Sequence, residues 1–338
     1  MLDPGSRDAL VAHAVRGTRL RSAPMLIFIL RRVAALIATL FATAAIIFIV
    51  LEILPGDPAA VMMGVNATPE NIAAIRAEYG LDRPAIERFF TWIGGLLTGD
   101  LGQSYTYRVP IAGLIGERAQ VTLPLAAMAV TISAGIGVPL GAVAAARANT
   151  RFDSIIMGVS QLGLAVPSFW FGILLVLLFA VTLGWFPAGG FPGWGAGFWP
   201  AFKTLILPSI ALALPQSAIL ARLTRSAVLE ALQEDFVRTA RAKGLTWRAT
   251  LRKHVLRNAL VPVVTILGLQ FSVLVAGAII IENVFSLPGL GRLMFQSISQ
   301  HDIIVVKDLV VLFAALVVFM NFLVDVAYGI IDPRLRRT

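Results

Sequence analysis

Six long runs of almost unbroken apolar residues constrain this chain more than any other feature. They fall at 33–54, 121–146, 154–183, 204–221, 259–281 and 309–331. A helix needs about 20 such residues to cross the hydrocarbon of a bilayer, so each run is a candidate span. Four hold no Asp, Glu, Lys or Arg; the first carries Glu52 near its end and the last carries Asp325. Within lipid, backbone N–H and C=O groups must be satisfied inside the segment, which selects helices for runs of this length. Composition agrees: 58% of residues are hydrophobic and 14% charged, with mean hydropathy +0.83. The expectation is an all-α polytopic membrane protein with six transmembrane helices. The run 154–183 exceeds what one crossing needs and is expected to tilt or to extend beyond the hydrocarbon.

The distribution of Lys and Arg orients the spans. With the N-terminus in the cytoplasm, 20 of the 28 fall on that side, nine of them within 222–257. Five of the other eight lie in 55–120, and long loops weigh little in this rule. Both termini are therefore expected in the cytoplasm. The net charge of +9 is met by arginines facing anionic headgroups and calls for no nucleic acid. Residues 1–24 are polar and Arg-rich and read as a cytoplasmic extension, with Met25 a candidate start. The apolar run that follows is too long for a cleaved signal and reads as an uncleaved anchor.

Between the runs, the polar stretches carry local signals. In 55–120, Thr68 can cap a helix with Pro69 first and Glu70 in its first turn. Ile72, Ile75 and Tyr79 share one face of it and Gly80 ends it. A second helix starts near Pro84 with Ile86, Phe89, Phe90 and Ile93 on its apolar side. The pair either lies on the membrane surface or forms an external platform for a substrate-delivering partner. In the Gly-, Pro- and aromatic-rich loop 184–202, Trp185, Trp194 and Trp199 suit the water–lipid interface. Pro124, Pro139, Pro167, Pro208, Pro215 and Pro262 interrupt the runs and permit bends where helices line a cavity. Gly135-Ile-Gly-Val-Pro-Leu-Gly141 lacks nucleotide-binding spacing; Gly137 and Gly141 instead predict close helix packing.

The segment 222–257 has its own logic. Leu229, Leu232, Phe236, Val237 and Ala240 recur near helical spacing, with Glu234, Arg238, Arg241 and Lys243 on the polar side. Ala240 is small enough to admit a close-packed partner, and Gly244 can end the helix in a left-handed turn. A short stiff helix tied to two spans acts as a lever. The same pattern also suits a basic helix resting on anionic lipid.

Asp235-Phe-Val-Arg-Thr-Ala-Arg-Ala-Lys-Gly-Leu245, followed by His254-Val-Leu-Arg-Asn-Ala-Leu-Val-Pro262, resembles the cytoplasmic docking loop of importer permeases. The likeness is to the peptide and nickel branch of binding-protein-dependent ABC importers. Gly244 takes the place of that loop's glycine and Ala240 its second alanine, while Arg238 and Thr239 stand where it carries Glu and Ala. Val261-Pro262 lies farther downstream than the general pattern has it. Leu54-Pro-Gly-Asp-Pro-Ala59, Tyr79-Gly-Leu-Asp-Arg-Pro84, Gly99-Asp-Leu-Gly-Gln-Ser104, Glu282-Asn-Val-Phe-Ser-Leu-Pro-Gly-Leu-Gly-Arg292 and Asp332-Pro-Arg334 are similar to the same branch, so the resemblance runs from Met25 nearly to the end.

This resemblance implies a type I ABC importer permease fold over 25–338, with a helical outer loop at 55–120 and a cytoplasmic coupling loop at 222–257. It implies a bacterial inner-membrane importer, for di- or oligopeptides, in which this chain forms half of the pathway. The implied partners are a homologous second permease, two ABC ATPase subunits and an extracytoplasmic substrate-binding protein, besides membrane lipids. Asp235, Phe236, Arg238, Thr239, Ala240, Arg241, Lys243 and Gly244 would form the ATPase-coupling helix, and Ser286, Pro288 and Gly289 would lie near the outer gate. The sequence has no Gly-Lys dipeptide and hence no Walker A loop. ATP with its Mg ion is therefore expected on the partner ATPases, with no cofactor in this chain.

Gln161, Ser168, Gln216, Gln270 and Ser272 are polar residues inside the apolar runs. They either line a translocation path or hydrogen-bond between helices. Asp325 is costly in lipid and should face protein or water, paired with a cytoplasmic-side Arg. In an ion-gradient-driven secondary transporter, the alternative reading, it would carry the proton or cation. Glu52 and Glu282, at span ends, are expected to have no special role. Cys is absent and the three His are far apart, so neither a metal site nor a catalytic constellation is expected, and the chain reads as a transport subunit, not an enzyme.

Overall fold

The structure, a computed structural model, describes residues 29–51, 59–60 and 68–331, the side chains of 327–331 excepted. The Met25 start, the 1–24 extension, Glu52, most of the Leu54–Ala59 motif and Asp332-Pro-Arg334 lie outside the described residues. Helix α1 is Ile29–Leu51. Two shorter helices follow, α2 (Pro69–Glu78) and α3 (Ala85–Thr98). Then come α4 (Ile111–Ala146), α5 (Arg151–Ala165), α6 (Ser168–Thr182), α7 (Phe198–Gln233) and α8 (Asp235–Ala242). The chain continues with α9 (Trp247–Val284), α10 (Leu290–Ser299) and α11 (Ile303–Ile331). Five helices, α1, α4, α7, α9 and α11, are each long and apolar enough to cross a membrane, and α5 with α6 makes a sixth, bent span.

That bent span corrects the expectation that the run 154–183 tilts or extends beyond the hydrocarbon as one helix. The axis turns by 97° between α5 and α6. Proline lacks the N–H that would continue the ladder and drives its predecessor out of the helical region. Val166 accordingly sits at φ −89, ψ 123 and Pro167 caps the next helix. Pro124, Pro139, Pro208, Pro215 and Pro262 lie inside α4, α7 and α9 without ending them. Among these prolines only Pro167 coincides with a break.

The second correction concerns the 222–257 segment. The run 204–221 understates its helix, because α7 continues to Gln233. Val228 and Ala231 keep the apolar face going past the first arginines, and they are buried against Ala145 of α4. What looked like a loop is the tail of α7, the short α8 and the first turns of α9.

Helices α4 and α7 run parallel and form the spine of the bundle. Gly137 faces the Ser217 carbonyl and Leu220, and four residues on Gly141 faces the Ala221 carbonyl and Thr224. A Cβ on either glycine would stand within 2.5 Å of a backbone oxygen. The absence of side chains lets the two backbones touch, as the glycine spacing predicts. Above this seam the main core gathers Leu125, Ala129, Leu205, Leu212, Leu274, Ile281 and Phe285 from α4, α7 and α9. A second cluster, with Ile111, Leu290, Leu293 and Leu309, packs α10 and α11 onto the start of α4. A third, at the opposite end, holds α8.

Candidate coupling, gate and pathway sites

Glu234 leaves the helical region (φ −69, ψ 147) and turns the chain from α7 into α8. Val237 of α8 is buried with Val228, Ala231, Val255 and Ala259, and Phe236 packs on their edge; Ala240 is buried as well. Gly244 ends the helix at φ +85, a conformation natural to glycine. Its N–H donates to the Arg241 carbonyl and the Leu245 N–H to the Ala240 carbonyl, the two bonds of a Schellman stop. Thr246 then caps α9 by accepting from the Ala249 N–H at 3.4 Å, and the Arg241 guanidinium lies 5.7 Å from the Trp247 ring centre. The structure corrects one residue of the sequence reading. Ala240 is only 7% exposed and fills the chain's own core. The face open to a partner consists of Asp235, Arg238, Thr239, Arg241, Ala242 and Lys243. The Asp235–Arg238 pair at 3.6 Å is fully on the surface and adds little to stability.

At the opposite end, Glu282 overturns the expectation that it has no special role. It is fully buried. Its carboxyl accepts from the Thr122 hydroxyl at 2.5 Å and from the Arg292 N–H at 3.0 Å, with the Gly291 N–H as a third donor. The Leu290 N–H in turn donates to Thr122. The group thus caps the N-terminus of α10 from another helix, where a carboxyl also meets the positive end of the helix dipole. Gly289 is required for this approach: a Cβ there would fall 2.2 Å from the Glu282 carboxyl. Ser286 is exposed in the left-handed region (φ +49), Pro288 is half-buried and Gly289 is buried. The three gate candidates therefore belong to one turn, fixed from below by Glu282. The aromatic-rich loop docks on the same turn, with the Gly190 N–H donating to the Phe285 carbonyl. Trp194 packs against the main core and donates to the Gln120 carbonyl, whereas Trp185 and Trp199 stay exposed.

Between these ends, the pathway candidates divide. The Gln270 amide donates to the Gln216 carbonyl at 3.2 Å, both residues being buried between α7 and α9. The Gln270 Oε1 and Ser272 hydroxyl find no hydrogen-bond partner among the described residues. Gln161 is exposed on α5 and Ser168 opens α6 at the break, so neither joins the Gln216–Gln270 contact. Asp325 pairs with Arg32 of α1 at 2.9 Å, the arrangement expected for a carboxylate within a span.

The α2–α3 pair forms a platform pinned to α11. Thr68 caps α2 by accepting from the Asn71 N–H, as its position predicts. The Trp92 indole donates to Asp308 at 2.7 Å, and the Lys307 ammonium lies 4.4 Å from the Trp92 ring centre. Asp302 accepts from the Ser104 hydroxyl and the Thr106 N–H, tying the 100–110 loop to the start of α11. Tyr105 stacks edge-on to Tyr79 at 4.5 Å. Burial, reinforced by the Asp302 charge, pushes the Tyr105 phenol well above its ordinary value. A cavity of about 410 Å³ opens beside this network, lined by Tyr79, Arg83, Arg88, Trp92, Tyr105 and Lys307 among others.

Two family descriptions match the chain: the binding-protein-dependent transport system inner membrane component over residues 137–337, and its N-terminal counterpart over 25–126. The chain belongs to this family. The permease is 39% identical over 333 residues to the di/tripeptide transport system permease DppB of Pseudomonas aeruginosa. It is 38% identical over 336 residues to the dipeptide transport system permease DppB of Escherichia coli K12. A Brucella abortus protein named as a peptide transport system permease is 43% identical over 319 residues. Each comparison covers 92% of this chain and 99% of the relative. Among solved structures, the MetNI methionine ABC transporter aligns with a TM-score of 0.53 at 19% identity, over 65% of this chain and 96% of that one. That likeness is one of fold.

Sequence reasoning found the α8 region and the Ser286–Gly289 turn but missed what holds the turn. The signal for Glu282 was present: a carboxyl closes an apolar run six residues before a Pro-Gly turn that opens a helix. Thr122, Asp302 and Asp308 act across 160 or more positions in sequence, at 160 for Thr122–Glu282, and no local pattern announces them.

Proposed function

We propose that this permease is one of two membrane subunits of an ATP-driven importer of short peptides, and that α8 is where it takes up work from an ATPase. The observation that carries this reading is α8 itself. It is a rigid helix with a closed stop, its apolar residues committed to the chain's own core and its charged side left open. Such an element transmits a push to α7 and α9, to which it is joined at both ends. The chain lacks a phosphate-binding Gly-Lys step, so ATP and Mg are assigned to partner subunits. The peptide assignment follows the relatives' names. The Lys and Arg bias assigns the α8 end to the cytoplasm, and with it both termini.

In this reading a soluble binding protein delivers peptide to the α2–α3 platform. The ATPase pair closes on ATP and drives the α8 helices of the two permeases together, and the cavity turns outward. Hydrolysis returns it inward, a two-state equilibrium biased by nucleotide and cargo. Gln216 and Gln270 supply hydrogen-bonding groups between α7 and α9, midway along the bundle. The turn at Ser286–Gly289 closes the far end.

The test is purification of the tagged permease from native membranes with the proteins bound to it. A second permease and ATPase subunits are expected. Ala242→Arg and Arg238→Glu, both on the open face, should release the ATPases while leaving the melting temperature of the permease unchanged. The reading is wrong if the permease purifies alone and moves a dipeptide into liposomes without ATP; Asp325→Asn would then be the next variant to assay.

A further inference from the structure

Helix α5 is only lightly embedded in the bundle. Of its 15 residues only Asp153 and Ile156 are buried, while Ile155, Val159 and Leu162 are more than half exposed. At the α8 end its one buried polar anchor is Asp153. Asp153 receives the Arg225 guanidinium in a two-pronged contact, Nε to Oδ1 at 2.6 Å and Nη2 to Oδ2 at 2.7 Å. The same carboxylate accepts from the Asn149 N–H at 3.0 Å, where the chain turns through a left-handed Asn149 (φ +62) between α4 and α5. Arg225 stands one residue from Thr224, which faces Gly141 in the α4–α7 seam, and eight residues before the end of α7. A planar guanidinium held by both nitrogens fixes orientation as well as distance, which a lysine in its place would not.

We infer that Arg225–Asp153 is the tie that carries movement of the α7–α8 end into the bent α5–α6 span. The pair acts through other groups and touches no cargo, so both are positioning residues of the transport cycle. The inference rests on the reading of α8 as the point where work enters. Without the tie, α7 can move while α5, loosely buried, lags behind it. Beyond the break at Val166-Pro167, α6 packs on α7 through Leu175 in the main core, so the tie acts on the α5 half of the span.

Two measurements on the co-purified assembly test this. The sequence holds no Cys, so Ile155→Cys with Glu230→Cys places a spin-label pair on exposed sites of α5 and α7 and labels this chain nowhere else. A narrow distance distribution is expected in the parent and a broad one in Arg225→Gln, with Arg225→Lys between them. In proteoliposomes, uptake of labelled dialanine per ATP hydrolysed should fall about tenfold in Arg225→Gln, within the reach of coupling residues. ATP hydrolysis per assembled complex should stay within about twofold of the parent, below the smallest change expected of a coupling residue. Asp153→Asn with Arg225→Gln, which leaves no charge buried alone, should keep the assembly intact and yet remain poorly coupled. The tie is refuted if Arg225→Gln leaves the label distances narrow, or lowers uptake and hydrolysis together in proportion to lost complex. ATP-independent uptake by the parent would instead refute the reading of α8, and the label distances would still decide the tie.

Discussion

Replacing Gly141 by alanine sets two effects of opposite sign against each other. In a helix interior, alanine is favoured over glycine by about 1 kcal/mol. At this position the new methyl would stand 2.3 Å from the Ala221 carbonyl and 2.7 Å from the Thr224 Cβ. Comfortable contact begins near 3.5 Å, so α4 and α7 must part locally by roughly 1 Å. The obstacle is backbone, which cannot swing aside as a side chain would. Overpacking of this kind costs about 1–3 kcal/mol, and the separated seam loses contacts on either side. Steric cost should win, for a net loss of about 1 kcal/mol or more. Gly137→Ala, 2.5 Å from the Ser217 carbonyl, should behave alike. Gly135, on the same helix with nothing within 4 Å of its Cβ position, is the control and should accept alanine with no loss. Thermal unfolding of the purified permease in detergent, followed by tryptophan fluorescence, ranks the three. If Gly141→Ala melts with or above Gly135→Ala, the α4–α7 seam is not held by backbone contact and the packing argument fails.

Glu282→Ala strands the Thr122 hydroxyl and the buried N–H groups of Gly291 and Arg292; at about 1–3 kcal/mol for each buried unpaired group, a large drop in melting temperature is expected, with Glu282→Gln intermediate. Gly289→Ala should lose stability with Glu282 present and recover it in the Glu282→Ala background, since its clash is with that carboxyl; melting curves of the double variant decide this. Tyr105 holds its proton past the ordinary phenol value near 10, while an unfolded chain would lose it there. Its contribution to stability is therefore full below about pH 10 and falls as the pH rises beyond that; ultraviolet titration should show a tyrosine that resists ionisation, and Tyr105→Phe should remove it. Trp92→Phe deletes the indole donor to Asp308, leaving that buried carboxyl short of a partner at about 1–3 kcal/mol; faster proteolysis between α3 and α4 is the expected readout, and unchanged cleavage would show that the platform is held elsewhere.

What could be read directly from the residues was whatever depends on near neighbours. The spans follow from run length, the α2 cap from Thr68-Pro69, the α8 stop from Gly244, and the α4–α7 seam from Gly137 and Gly141. The readings that failed share a different cause. Ala240 and Ala242 lie two residues apart on one short helix, and only the packing of α4, α7 and α9 decides which of them faces inward. Pro167 and Pro208 are alike in sequence, both within apolar runs, yet one ends a helix and the other is buried inside α7. Their difference lies in whether neighbouring helices cover the interrupted ladder, which is a property of the assembled bundle.

Glu282 shows the same limit from the side of function. By hydropathy it marks the place where a span ends, and a carboxyl near the membrane surface needs no further cause. In the fold it joins α4, α9 and α10 through Thr122, its own helix and the N–H groups of α10. A buried carboxyl is tolerated only where several donors meet it, and here they come from α4 and from the first turn of α10. The Pro-Gly-Leu-Gly sequence is flexible by composition and ordered by that carboxyl. A turn built this way is stiff while Glu282 is in place and loose once it is removed. Glycine at 289 and 291 is then needed for close approach more than for flexibility, because each lies against the α9 helix within 2.4 Å of where a Cβ would stand.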